Sequence, residues 1–184
     1  MTAASYAPHW PFWTGWGLAF VGFPLGGLAA TALVGGVENV GDAIIGGAAT
    51  GLVIGGVQWF VLRRRIALSP LWAVATSAGM ATGLAVGVAM TGIATTDNTL
   101  LIRGALTGLG IGTGRWLLLR RAVPQAIVWI PTITTGWALG WFITRAAGVD
   151  LQPNWSVFGS TGAWGFQLMT GLVLAWLLKQ ARHE

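Results

Sequence analysis

Cysteine is absent from the chain, lysine occurs once, and only five of the 184 residues are acidic. Without cysteine there can be no disulfide, thiolate metal site or cysteine nucleophile. The acids are Glu38, Asp42, Asp97, Asp150 and Glu184, and none falls deep in an apolar run. The proton-relay carboxylates common in ion-coupled transporters are therefore missing. Lys179 stands at the end of the last apolar run, so a mid-membrane Schiff base is not expected. No Ser/His/Asp or Ser/Lys arrangement is present. The glycine-rich stretches lack the trailing Gly-Lys-Ser/Thr of a phosphate loop. His9 and His183 lie outside the apolar runs, which leaves no intramembrane metal or haem ligand. His9, beside Trp10 and Trp13, is the single place where a chlorophyll-type pigment would find an interfacial ligand. Neither catalysis nor a resident metal or cofactor is expected.

What the chain has instead is apolar surface. Residues of the AVILMFWYC class make up 54% of it and charged residues 8%, against about 25% charged in an ordinary soluble domain. Most of its surface must face something apolar, and membrane lipid is the expected partner. The +5 net charge is carried by short clusters at the ends of apolar runs, not by a stripe on a polar domain, which argues against nucleic acid. The N-terminus has neither a basic region nor a small-residue cleavage site, so no removable signal peptide is expected.

Six runs have the length needed to cross a bilayer, about 20 residues. They cover 12–35, 43–62, 71–93, 99–119, 126–147 and 161–179, and form one membrane domain over 1–184. Period-two alternation is absent and the runs are too long for barrel strands, so the expectation is all-α. Arg63, Arg64 and Arg65 follow the second run, Arg120 and Arg121 the fourth, and Lys179 and Arg182 the sixth. The positive-inside rule puts these ends, and both termini, in the cytoplasm. Glu38, Asp42, Asp97 and Asp150 fall on the other side. Trp10, Trp13, Trp16, Trp59, Trp72, Trp116, Trp129 and Trp176 lie near the arginine side, as an aromatic belt at the membrane interface would.

An offset of 57 residues sets GAATGLVIGGVQWFVLRRR (47–65) on GALTGLGIGTGRWLLLRRA (104–122). It also relates Gly22, Gly79 and Gly136, and Gly26, Gly83 and Gly140. The sixth run matches less well. The reading is three tandem two-helix hairpins, approximately 12–65, 70–122 and 126–180, parallel to one another and arranged with pseudo-threefold symmetry. Repeated segments such as GGVQWFVLRRR resemble a group of uncharacterised bacterial membrane proteins with tandem QW-x-[VL]-LRR hairpins, over about residues 43–145. Copy two departs from that pattern, with Arg115 where copy one has Gln58. The resemblance implies a multi-pass protein of a bacterial inner membrane and carries no activity.

Two sets of residues invite a role. Glycines at four-residue spacing, namely Gly47, Gly51 and Gly55, then Gly79, Gly83 and Gly87, then Gly104, Gly108 and Gly112, with Gly136 and Gly140, put bare backbone on one helical face. Helix packing is the expected use of such a face. A groove for a lipid tail or flat pigment is the alternative. The second set is polar. Gln58 and Arg115 are equivalent in the repeat, and Arg115 is expected to snorkel to the headgroups or else to join Gln58 at the inner mouth of a central cavity. Gln167 is the candidate third member there. Arg103 and Arg145 are expected to pair with Asp97 and Asp150 at the outer ends, or to select an anion.

The functional expectation is a non-catalytic accessory or scaffold subunit, or a self-associating bundle, whose partners are lipid, other membrane subunits or itself. One alternative is a small-solute or ion pathway through the centre of the hairpins, and another is a lipid- or pigment-binding protein. Mitochondrial-type carriers share the count of three two-span repeats. Their P-x-[DE]-x-x-[KR] signature is missing here, because no acid follows Pro24 or Pro131 as it would require.

Overall fold

A computed structural model of the chain describes residues 12–63, 68–121, 123, 125–151 and 155–180. The described residues form six long helices and no strand. They are α1 (Phe12–Val34), α2 (Val40–Leu62), α3 (Leu71–Thr91), α4 (Asp97–Leu119), α5 (Ala126–Ala146) and α6 (Ser160–Gln180). All but α4 are long and apolar enough to cross a membrane. Asp97, Arg103 and Arg115 lie within α4 and lower its hydropathy.

Local chemistry sets the ends. The Asn39 side chain caps α2, its oxygen accepting from the Asp42 N–H at 3.0 Å, while Asp42 Oδ2 accepts from the Asn39 amide at 2.8 Å and the Glu38 N–H at 3.1 Å. Thr96 caps α4 in the same way through the Thr99 N–H. These caps satisfy donors that a helix start leaves free. α1 and α3 stop at Gly35 and Gly92, whose φ values of +71° and +68° are left-handed positions that side chains disfavour. Within α1 a 3-10 turn covers Ala19–Val21. Pro24, with no N–H to give to the carbonyl of Phe20, accounts for the tightened turn.

Glycines set how closely the helices approach. A Cβ placed on Gly47 would meet Ala81, one on Gly51 would lie 2.8 Å from Ser77 Cα, and one on Gly55 would lie 2.8 Å from Ala73 Cα. As numbers rise along α2 they fall along α3, so the two run antiparallel. Gly79, Gly83 and Gly87 of α3 meet Gly110, Leu106 and Arg103 of α4. Gly104, Gly108 and Gly112 of α4 meet Ala138, Thr134 and Ile130 of α5. Gly22 and Gly26 of α1 approach Ile54 and Thr50 of α2. Gly140 of α5 faces Phe158, and Gly162 of α6 faces the Gly140 carbonyl. Small residues of this kind allow backbones to pack where lipid tails offer no hydrophobic drive.

Each helix thus lies against its chain neighbours, and α1 lies against α6. The Phe20 and Trp164 rings stack at 4.4 Å, and Trp16 Nε1 donates to the Gln167 carbonyl at 2.9 Å. The six helices close into a ring. Its outside carries exposed Leu18, Leu28, Leu33, Leu52, Val74, Met90, Leu109, Phe142, Leu168 and Leu172, drawn from all six helices. An apolar surface on every side is what a lipid-embedded bundle shows, and it is far more than a water-soluble monomer exposes.

The inside is filled with side chains. Towards the end bearing Glu38, Asp97 and Asp150, the segment Trp155–Gly159 folds inward before α6 begins. Phe158 packs within 6.1 Å, ring centre to ring centre, of Phe23, Trp137, Trp141 and Phe166. Ser156 Oγ lies 2.8 Å from Thr50 Oγ1, which also donates to the Gly26 carbonyl at 3.1 Å. The middle is occupied by Ile54, Met80, Ile111 and Ile133, all fully buried.

Candidate functional site

Three of the eight tryptophans expected in an interfacial belt are core residues. Trp16, Trp72 and Trp129 are buried, while Trp13 and Trp176 are exposed and Trp59 and Trp116 half-buried. Trp10 lies outside the described residues, as do His9 and His183. An indole ordinarily keeps its N–H within reach of water at the rim, and Trp72 and Trp129 are instead buried where the interior has polar content of its own.

That content is Arg115. Snorkelling to the headgroups does not occur: the residue is 1% exposed and turns into the bundle. Its Nη2 donates to Gln58 Oε1 at 2.6 Å and its Nε to Thr76 Oγ1 at 2.9 Å. Thr76 in turn donates to the Trp72 carbonyl at 2.7 Å. The guanidinium carbon stands 4.8 Å from the Trp72 ring centre, a cation–π distance. Trp129 lies against Trp72, with 6.3 Å between ring centres. Gln58 and Arg115 each sit four residues from the last residue of their helix, Leu62 and Leu119, which is about 6 Å at 1.5 Å per residue. The cluster is therefore one turn inside the arginine end of the bundle, and α2, α3, α4 and α5 each contribute to it.

Gln167 is not its third member. It faces α1, where its Nε2 donates to the Trp16 carbonyl, and so belongs to the seam that closes the ring. At the opposite end Arg145 forms an ion pair with Asp97 and donates to the Thr95 carbonyl at 3.0 Å. Arg103, expected beside an acid, instead donates to the carbonyls of Thr99 and Ala94, holding the turn between α3 and α4. Beside it is a cavity of about 10 Å³ lined by Leu84, Leu100, Trp141 and Trp155, room for one water at most. A far larger opening, about 690 Å³, is a groove on the outer face between α3 and α4, bordered by Val74, Ala78, Gly79, Gly83, Leu109 and Gly110.

Sequence reasoning missed Thr76, Trp72, Trp129, Ser156 and Phe158. For the two tryptophans a signal existed: they stand at the 57-residue offset, as do Gln58 and Arg115. No such signal marks Ser156 or Phe158, which lie where the third copy departs from the others.

Comparison of the chain with protein-family models, with curated proteins and with solved structures finds no match. The fold and site define an all-helical apolar bundle consistent with an integral membrane protein.

Proposed function

We propose that the protein is a non-catalytic membrane protein of six spans, serving as a packing or accessory subunit of a membrane assembly or associating with itself. In this reading α4 spans as the other five do, three tandem hairpins make the ring, and the arginine end with both termini is cytoplasmic. Several observations support the hairpin reading. The capping residues Asn39 and Thr96, the stop glycines Gly35 and Gly92, and the Gln58–Arg115 pair all stand at one chain offset. The arginine clusters and the acids lie at opposite ends of the helices, which supports the orientation. The resemblance to bacterial proteins with QW-x-[VL]-LRR hairpins adds an inner-membrane location.

One observation carries the choice of function: the axis is occupied. Phe158 and its aromatic neighbours fill one end, Ile54, Met80 and Ile111 the middle, and Trp72 and Trp129 the other end, all buried. A conduit needs a continuous polar path, and here Gln58 and Arg115 meet each other in the packed interior. The groove between α3 and α4, open to lipid and lined with small residues, gives the outer surface a concave face for a neighbour.

The test is reconstitution of the full chain in liposomes, with isolation from its own membrane in mild detergent. The expected result is halide and small-solute efflux no faster than from empty vesicles, with the chain recovered in stoichiometric association with itself or another membrane protein. Efflux that tracks the amount of protein and changes in Arg115→Met would overturn the reading.

A further inference from the structure

Four donor nitrogens of the Arg115 cluster have no partner among the described residues. Arg115 Nη1, Gln58 Nε2, Trp72 Nε1 and Trp129 Nε1 are all buried and unpartnered. The orientation of Gln58 is set by its bond to Arg115: with Oε1 accepting from Nη2, the other end of the amide is a donor. No acidic side chain among the described residues is near. Glu38, Asp42, Asp97 and Asp150 all stand at the far end of the bundle, and the described charges at this end are Arg63, Arg120, Arg121 and Lys179. Among the described residues the guanidinium is thus a buried cation without a counter-charge, beside donors that have no partner. Burying a charge unpaired is among the costliest arrangements a fold can hold.

Water supplies only half of what is needed. A water molecule can accept from two donors and return its hydrogens to the second lone pairs of Gln58 Oε1 and Thr76 Oγ1, which each accept one bond from Arg115. It leaves the guanidinium charge unmatched. An anion accepts hydrogen bonds and neutralises the charge as well. With Gln58, Trp72 and Trp129 at 0% exposure and Arg115 at 1%, the ligand must be small and stripped of its own water. Arg63, Arg120 and Arg121 raise the anion concentration just outside.

We propose that Arg115, Gln58, Trp72 and Trp129 form a buried site for one monovalent anion of chloride size. The ion is a resident counter-charge that joins α2, α3, α4 and α5 at the arginine end. This inference is independent of the accessory-subunit reading: anion efflux from liposomes would end that reading and leave the site standing.

The probe is chloride, with bromide as a second halide. The full chain is purified in detergent containing gluconate as the anion, then titrated with chloride at constant ionic strength, following melting temperature and tryptophan fluorescence. The expected result is a saturable one-site rise in melting temperature, reproduced by bromide. Trp129→Phe keeps the ring packing and removes one N–H. A hydrogen bond to a charged group contributes enough that its loss should weaken halide affinity by about tenfold or more. Trp164→Phe, at the exposed acid-end surface, should leave the affinity unchanged. Arg115→Met should abolish the halide response. Should that variant not fold, the Trp129→Phe titration decides. Identical melting in chloride and gluconate over the whole range, or equal halide affinity in wild type and Trp129→Phe, would overturn the proposal.

Discussion

Gln58 and Arg115 stand 57 residues apart in the chain and meet through a 2.6 Å hydrogen bond one turn inside the bundle. Two equivalent positions of a repeat thereby become partners, one supplying the acceptor and the other the charge. Had both been glutamine or both arginine, the pair would have been a neutral contact or a repulsion. The divergence between the copies is what makes the interaction.

The first prediction concerns topology. Ser69 lies at the arginine end and Asn98 at the acid end, both exposed. Single cysteines placed there, in a chain with none of its own, should react with a membrane-impermeant thiol reagent from opposite faces of intact cells. Labelling from the same face would remove the six-span arrangement.

Packing gives the second. A side chain at Gly51 would press on Ser77 Cα and the Thr76 carbonyl at 2.8 Å, and one at Gly108 on Thr134 Cα at 2.7 Å. Gly51→Leu and Gly108→Leu should each cost about 1–3 kcal/mol or more, because backbone cannot rotate aside as a side chain can. Leu52 and Leu109, 53% and 46% exposed, lie on the outer face, and replacing either by Ala should cost below about 1 kcal/mol, since lipid or detergent replaces the lost contacts. Thermal melting of the four variants in one detergent compares them. Equal stability would mean that the glycine faces do not carry the packing.

The seam between α1 and α6 is tested at Gln167. Its amide reaches the Trp16 carbonyl, and the Trp16 indole reaches back to the Gln167 carbonyl. Gln167→Leu should destabilise by about 0.6–1.7 kcal/mol, the range for polar contacts between membrane helices. Hydrogen exchange in α1 should rise more than in α3, because α1 would lose one of its few ties to α6 while α3 keeps its glycine contacts on both sides. Uniform exchange across all helices would argue against a local seam.

At the acid end, Arg145 and Asp97 have side-chain exposures of 47% and 61%. Such a pair contributes less than about 1 kcal/mol, and salt screens it. Asp97→Asn should therefore shift melting slightly in low salt and not at all in 1 M salt. A large shift that persists in high salt would mean that the pair is shielded from solvent in the membrane.

The last prediction is for the inward loop. Phe158→Ala removes the ring that Phe23, Trp137, Trp141 and Phe166 surround. The cost should be about 3–5 kcal/mol, the range for emptying a buried aromatic site. Phe142→Ala, at an exposed position on α5, is the control and should be nearly silent in the same melting assay.

Much of this architecture is legible along the chain. The scarcity of charge, the long apolar runs and the polar breaks specify an apolar helical bundle. The placement of Arg63 and Arg120 against Asp42 and Asp97 separates its two ends. These properties depend on the order of residues along a helix, and hydropathy reports the medium a segment prefers however the segment is rotated. Rotation is what the tertiary structure decides. Arg115, within α4, and Arg120, just past its end, are five residues apart, yet one is buried against Trp72 and the other exposed, with its guanidinium carbon 5.2 Å from the Trp116 ring centre. Sequence position leaves a long side chain at Arg115 free to reach the headgroups; the azimuth set by Gly104, Gly108 and Gly112 against α5 turns it inward. Trp72 and Trp129 likewise resemble belt residues by position and become core residues because their faces turn inward. The inward course of Phe158, and the closure of α1 on α6 through Gln167, need the whole ring in place, because each joins segments that only the complete bundle brings within reach.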